Sequence, residues 1–329
     1  MELQNLLISV CIPVYNTEKY LSQCLRSVYT QNFDSFEIVV VSDASPGKDS
    51  EGHSAKKIIK LARKESEKYR KENHLQLIPI RFIELKENRG LIEVRRTLMY
   101  EARGIYMTQC DSDDEMEAGA LKALFSAGEY DIIHGTSTAG YYDKSGSFIP
   151  TPENRYGKIF YGEINGRKIL MKWLLDGAFT ANTWGKLIKH EIWQKAYEHI
   201  PYTECNMADD VLLFFFIVQY AKSYKGIEEK VYRYRVNTGM TSARKIDSLH
   251  KWKMVCSAAS VFTVISEWIK ENPGKLSDEE VNHIRKMTSY YLLNNLQQLK
   301  ETVIPELQAA ARQMLCDYWG KSFVERLEQ

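Results

Sequence analysis

The sequence predicts an α/β protein, a layered domain with a mostly parallel sheet that is extended at its C-terminus by helices alone. Three observations carry that expectation. Short β-branched runs alternate with segments of helical spacing through five cycles in the first 134 residues. Polar loops follow the strand runs, where open α/β sheets bind ligands. Beyond Lys245 the apolar positions keep only the helical period.

Residues 6–13 form an apolar run bounded by Pro13, which suits a buried strand. Thr17 is placed to cap the next segment, where Tyr20, Leu21, Cys24, Leu25 and Val28 recur at helical spacing. Residues 36–41, FEIVVV, read as a central strand. Residues 55–71 read as a charged helix over Ile58, Ile59, Leu61 and Ala62, its charges forming a solvated face. A strand over 80–85, a helix over 91–102 and a strand over 105–110 follow, then a helix over 117–127 and a short strand over 131–134. Residues 140–148 suit a hairpin with a Gly/Ser turn. Helices are expected over 163–175 and 209–220, and a strand over 230–236. In the tail, Leu249, Trp252, Cys256, Ala259 and Phe262 make one stripe, and Ile284, Met287, Tyr291, Leu292, Leu296 and Leu299 another. Asn272-Pro273-Gly274 separates the two.

The composition narrows the function classes. The 329 residues are 44% hydrophobic and 26% charged, which excludes wholesale disorder. With 44 basic against 43 acidic side chains, no broad basic face is available for nucleic acid. No stretch approaches the ~20 apolar residues that span a bilayer, and the opening residues lack a basic n-region and a small-residue cleavage site. The six cysteines are scattered, without a C-x-x-C pair, and read as reduced thiols. The expectation is a cytoplasmic protein.

Asp111-Ser112-Asp113-Asp114 follows directly on the fourth strand. Three carboxylates within four residues repel one another unless a cation or hydrogen-bond donors compensate, and a hard divalent ion such as Mn²⁺ or Mg²⁺ suits oxygen ligands. A helix N-terminal acidic cluster explains the same pattern. Asp43 closes the second strand, so two strands present carboxylates to one crevice, with Asn88-Arg89-Gly90 between them at a helix start. Asp209 and Asp210 open a later helix; consecutive side chains diverge by about 100°, so one is expected to face the cleft while the other caps the helix or orients a neighbour. His134, Phe214, Phe215, Phe216 and Trp252 read as packing residues. Tyr141, Tyr142, Tyr156 and Tyr161 are equally suited to stacking on a sugar and to packing.

Taken together, these motifs resemble the inverting family 2 glycosyltransferases of GT-A type. The matching segments are Ile8-Ser9-Val10-Cys11-Ile12-Pro13-Val14-Tyr15-Asn16, Phe36 to Ser45, the Asn88-Arg89-Gly90 turn and the Asp111-Ser112-Asp113 D-x-D. Trp184-Gly185-Lys186-Leu187, Asp209-Asp210 and Tyr232-Arg233-Tyr234-Arg235 with Thr241-Ser242 continue the likeness, which fades after about Arg244. The resemblance implies a Rossmann-like mixed sheet flanked by helices. It implies a glycosyltransferase domain over 1–244, with a nucleotide-sugar half at 1–134 and an acceptor half at 135–244, and a helical extension over 245–329. By the same likeness Pro13, Val14, Asn16 and Asp43 hold base and ribose, with Asn88, Arg89 and Gly90 near the pyrophosphate. Asp111 contacts the ribose, Asp113 binds a Mn²⁺ or Mg²⁺ ion, Asp210 is the general base and Arg235 neutralises the leaving diphosphate. The implied partners are a nucleotide-diphosphate sugar, foremost a UDP-sugar, and a glycan or lipid-linked acceptor of bacterial surface polysaccharide, lipopolysaccharide or glycoprotein glycan assembly. The C-terminal helices are candidates for a homodimer face or for peripheral membrane association, although their mixed charges favour ordinary packing. A sugar-phosphate nucleotidyltransferase and a silent carbohydrate-binding protein on this fold are the alternatives. The first lacks its Gly-rich loop here, since Pro13-Val14-Tyr15-Asn16-Thr17 has no glycine, and the second predicts eroded aspartates.

Overall fold

The computed structural model describes residues 6–152, 157–236, 238 and 245–328. The elements run β1 (Ile8–Val14), α1 (Glu18–Tyr29), β2 (Phe36–Ser42), α2 (Ala55–Glu72), β3 (Ile80–Glu84), α3 (Leu91–Glu101), β4 (Tyr106–Gln109), β5 (Glu115–Met116), α4 (Ala120–Ser126), β6 (Ile132–Tyr142) and β7 (Phe148–Pro150). They continue through β8 (Gly162–Asn165), α5 (Lys168–Leu174), β9 (Lys186–Lys189), α6 (His190–Tyr197), α7 (Asp209–Tyr220) and β10 (Ser223–Arg235). The tail is helical: α8 (Leu249–Cys256), α9 (Ala258–Glu271), α10 (Asp278–Glu301), α11 (Gln308–Trp319) and α12 (Lys321–Glu328).

The strands make one mixed sheet in the order β3-β2-β1-β4-β9-β6-β10-β5, with β7 paired to β6 and β8 to β10. β3, β2, β1 and β4 are parallel, whereas β9 runs antiparallel between β4 and β6. The alternation of side chains along a strand sorts the apolar residues into two cores. Ile8, Val10 and Ile12 pack with Ile38 and Val40 against α1, α2 and α4, while Cys11, Val39, Val41 and Met107 face α3, α6 and α7. The second of these cores runs on without a break into the tail through Trp252, Phe262, Leu292 and Trp319. Trp252 donates from its indole nitrogen to the Ala311 carbonyl at 2.8 Å, so its one polar atom is satisfied in the interior.

The expected α/β layering, a mixed sheet flanked by helices and the helical extension are therefore present. Four local expectations change. Residues 162–165 are a strand, because they pair antiparallel with β10, and the helix expected from 163 starts only at Lys168. The strand at 131–134 continues to Tyr142 and that at 230–236 begins at Ser223, since the two pair in parallel along most of their length. The first tail stripe is broken at Ser257 into α8 and α9. Thr17 is the N-cap residue of α1 but makes no capping bond; its hydroxyl meets that of Ser112 at 2.7 Å. All six cysteines are free and buried, and His134 is a core residue whose Nδ1 lies 2.9 Å from the Tyr224 hydroxyl. Among the described residues no helix is long and apolar enough to cross a membrane.

The early part of β10 lets another chain segment come close at Gly226. A Cβ on Gly226 would lie 1.8 Å from the Phe160 carbonyl oxygen, which is backbone and cannot rotate away. Gly226→Ala is therefore expected to lower unfolding free energy by about 1–3 kcal/mol, as overpacking does, read from urea unfolding.

Candidate active site

The parallel strands end on one edge, and there the chain turns in conformations that aim its polar groups inward. After β1, Asn16 takes a left-handed backbone (φ 56°) and its N–H donates to Ser45 Oγ at 2.8 Å. After β2, Asp43 is 3% exposed. Its two carboxylate oxygens accept from the N–H of Arg89 at 2.7 Å and of Gly90 at 2.9 Å. Gly90 (φ 83°) is the N-cap of α3, and the conformation favours glycine. Asp43 thus ties the end of β2 to the start of α3. Burial raises its pKa, against the two N–H bonds and the Arg89 charge.

The acidic run after β4 divides its labour. Asp114 is buried and accepts from the Tyr232 hydroxyl at 2.9 Å and from the Arg235 N–H at 2.6 Å. Burial, with the charges of Asp113 and Asp111, pushes its carboxyl well up, and it braces the loop against β10. Asp113 accepts from the Thr238 hydroxyl at 2.8 Å through one oxygen. Asp111 keeps about a quarter of its side chain exposed. Its pKa rises to about 7, chiefly through burial, with Arg95 opposing and the neighbouring carboxylates adding.

α7 opens from Ala208, which is held in a left-handed conformation (φ 62°) that a non-glycine residue rarely adopts. This turn delivers Asp209 and Asp210 onto the buried guanidinium of Arg95. Arg95 Nη1 donates to Asp209 Oδ2 and to Asp210 Oδ1, each at 2.5 Å, and Nη2 lies 3.4 Å from Asp111 Oδ1. Of the two expected tasks for the second aspartate, capping the helix or orienting a neighbour, the contacts show the latter. Asp209 bonds and orients Arg95, whereas Asp210, the more exposed of the two, also accepts from the Thr183 hydroxyl at 3.1 Å. Behind Asp210, the buried Lys186 ammonium donates to the Asn182 carbonyl, and burial pulls its pKa down to about 7 against the Asp210 charge. Trp184 stacks on Tyr232 at 4.6 Å and on Tyr234 at 5.5 Å, which fixes the floor beside Asp111.

These groups enclose a cavity of about 580 Å³. Pro13, Val14, Asp43, Asn88, Asp111, Asp113 and Asp210 line it together, although they are spread over nearly two hundred positions. Asp114, Asp209 and Glu204 add carboxylates to its wall. Asn16, Arg89, Gly90 and Arg235 are not among its lining residues. Arg89 contributes its backbone, while its half-exposed guanidinium lies 3.5 Å from Glu87. Arg235 stands behind Asp113: Nε donates to the Asp113 carbonyl at 2.9 Å, and the guanidinium lies against the rings of Tyr20 and Tyr142 at 4.6 and 4.3 Å. Tyr141 and Tyr161 are exposed away from the cavity. Tyr156, Thr241 and Ser242 lie outside the described residues. Arg95 and Thr183 escaped the sequence reading. A signal for Arg95 was present, since Ile92, Arg95 and Met99 share the buried face of α3, and a charge on an apolar stripe needs a partner.

No three acidic, His or Cys side chains among the described residues gather closely enough to hold a metal by themselves. The donor chemistry nonetheless fits a hard cation. Asp113 retains one carboxylate oxygen without a hydrogen bond among the described residues, and Mg²⁺-like ions are commonly held by one or two carboxylates together with substrate phosphates.

Asp209 provides a test of this electrostatic arrangement. Its carboxyl is pushed up to about 6, chiefly by burial, with Arg95 opposing and Asp210 adding. An unfolded Asp titrates near about 4. The folded chain then holds the proton more tightly, so stability is full below about pH 4 and falls as pH rises towards about 6. In Asp209→Asn that loss is absent: its stability relative to the parent should rise between pH 4 and 6 and then level off, measured by thermal unfolding without metal.

Comparison with known proteins places this geometry in a family. The profile described as Glycosyl transferase family 2 matches residues 9–195. The chain is 23% identical over 267 residues to the putative glycosyltransferase EpsH of Bacillus subtilis, covering 80% of this chain and 70% of that one. It is 27% identical over 243 residues to glycosyltransferase GlyA of Streptococcus pneumoniae, covering 71% of this chain but 31% of GlyA. In fold it is similar to residues 1–349 of TarS from S. aureus in complex with UDP-GlcNAc, with a TM-score of 0.55 at 18% identity, covering 98% of this chain and 92% of that one. It is also similar to the mannosyltransferase PcManGT of Pyrobaculum calidifontis in complex with GDP-Man and Mn²⁺, with a TM-score of 0.50 at 16% identity, covering 99% and 79%. The shared sheet, the matched profile and the aspartates on one edge lead to a single assignment: the chain belongs to glycosyl transferase family 2 and is a glycosyltransferase of the GT-A fold.

Proposed function

We propose that this glycosyltransferase moves a sugar, with inversion, from a nucleotide-diphosphate donor to a hydroxyl of a glycan or lipid-linked acceptor. The observation that carries the reading is the convergence of two carboxylate sets on one cavity: Asp43, Asp111 and Asp113 after the strands, and Asp210 at the start of α7. Inversion needs a base on the face opposite the leaving group, and in this reading Asp210 accepts the acceptor hydroxyl proton as that oxygen attacks the anomeric carbon. The Thr183 hydroxyl and Arg95 both donate to one Asp210 oxygen, which leaves the other to take the proton.

In this reading Pro13, Val14, Asn16 and Asp43 form the base and ribose end, Asn88, Arg89 and Gly90 shape the turn beneath the diphosphate, and Asp111 meets the ribose. Asp113 holds a Mn²⁺ or Mg²⁺ ion, and when bound that ion neutralises charge on the leaving diphosphate. Arg235 acts through Asp113, whose carbonyl it anchors. UDP is the favoured nucleotide, as with UDP-GlcNAc in TarS. The donor half is assigned to residues 1–134, the acceptor half to 135–244 and the helical extension to 245–329. Relatives named as a teichoic acid polymerase and a chondroitin synthase support a role in surface polysaccharide or glycan assembly. Free buried cysteines fit the reducing cytoplasm, and a lipid-linked acceptor would be met at the inner membrane face.

Two substitutions test the two carboxylate sets. Asp113→Asn should weaken UDP binding in the presence of Mn²⁺, measured calorimetrically, with the fold intact; binding that ignores both the substitution and a chelator removes the cation. Asp210→Asn should keep UDP binding and lose transfer by a factor of about 10²–10⁴, the usual contribution of a general base. Asp209→Asn should lose less.

A further inference from the structure

The cavity has a wall for which the donor reading has no use. It is built by the helical extension: His250, Lys253 and Met254 from α8 and Tyr291 from α10, with Glu204 from the loop before α7. We propose that this wall completes the acceptor subsite begun in the 135–244 half, that Tyr291 and Met254 form its platform, and that the acceptor it takes is an uncharged saccharide. The inference rests on the proposed donor site and on Asp210 as base.

Three observations support it. First, Tyr291 is rigidly seated yet chemically unoccupied. Its ring packs on Phe262 at 5.1 Å, and its hydroxyl makes no hydrogen bond among the described residues. The hydroxyl also lies within the field of the base, since burial and then the Asp210 charge push its pKa up to about 12. An aromatic face flanked by a free hydroxyl suits the C–H face and hydroxyls of a sugar ring. Second, the cations on this side are already engaged. Lys253 lies 2.7 Å from Glu204, and Arg95 is buried among three carboxylates. Third, carboxylates on the cavity wall outnumber the cations Arg95 and Lys253 seven to two. A donor diphosphate brings a divalent ion with it, but a phosphate-bearing acceptor would enter a negative field in which, among the described lining residues, the Lys and Arg side chains are already paired and only His250 is left to meet it.

The paired Lys253 and Glu204 also suggest how the choice is made. Together they offer donor and acceptor atoms to hydroxyls while cancelling charge. Removal of the carboxylate would turn Lys253 into an anion site.

The experiment uses the full chain with Mn²⁺ and a panel of UDP-hexoses and UDP-N-acetylhexosamines. Neutral p-nitrophenyl glycosides are compared with oligo(glycerol phosphate) as acceptors, and UDP affinity is measured in parallel by calorimetry. The parent should transfer to neutral glycosides. Tyr291→Ala should raise the acceptor KM about tenfold, the scale of one aromatic contact, with UDP affinity unaltered, and Tyr291→Phe should restore most of that loss. Glu204→Gln should gain transfer to oligo(glycerol phosphate). Transfer confined to oligo(glycerol phosphate), donor turnover by water with no transfer to any neutral glycoside, or an unaltered acceptor KM in Tyr291→Ala would overturn the proposal. Loss of UDP binding in the parent would instead strike the donor site itself.

Discussion

Three carboxylates, Asp111, Asp209 and Asp210, crowd together at one edge of this sheet, and Arg95 is buried among them. Asp111 ends a strand and Asp209 and Asp210 start a helix almost a hundred residues later. Without a counter-charge, three acids held this close would protonate or move apart. The guanidinium fork bonds all three from the buried face of α3, so the position of Asp210 relative to Asp111 is set by one side chain. Asp43 performs the complementary task, fixing the start of α3 through the N–H groups of Arg89 and Gly90. The chain of constraint therefore runs from β2 through α3 to α7, and the cavity is the space left between.

That arrangement leaves the site short of positive charge. Arg95 neutralises one of its three partners, Asp114 is clasped by Tyr232 and Arg235, and Lys186 sits in the dry layer behind Asp210. Like charges held this close repel one another, and a hard cation with oxygen ligands would relieve that repulsion. Stability and ligand binding are thus coupled through the same carboxylates, as is common where a site holds groups that prefer not to coexist.

The sequence made the fold legible wherever local pattern and tertiary role agree. The Phe36–Ser42 run is buried throughout, and β-branched residues in a short run have few other uses. Asp209–Tyr220 was readable as a helix to the residue. Legibility failed where pairing decides: Gly162–Asn165 has no strand pattern of its own and becomes one only against β10. For the site, residues that touch a loop motif were visible, including Asp43, Asp111, Asp113 and Asp210. Arg95 was not, because its importance comes from what reaches it from elsewhere in the chain. Arg235 shows the converse: its motif is clear, but its guanidinium lies between Tyr20 and Tyr142 behind the loop. The helical extension offered stripes and no hint that α8 and α10 would close the cavity, since that depends on how the tail folds back over α7.

The central claim is a single displacement with Asp210 as base, across the cavity from the diphosphate. It is tested most directly by the configuration of the newly made glycosidic bond, read from the anomeric proton coupling in the NMR spectrum of product formed from an α-linked UDP-sugar. The account predicts a β-linked product from the first turnover. An α-linked product would mean two displacements or a front-face attack, and would contradict it.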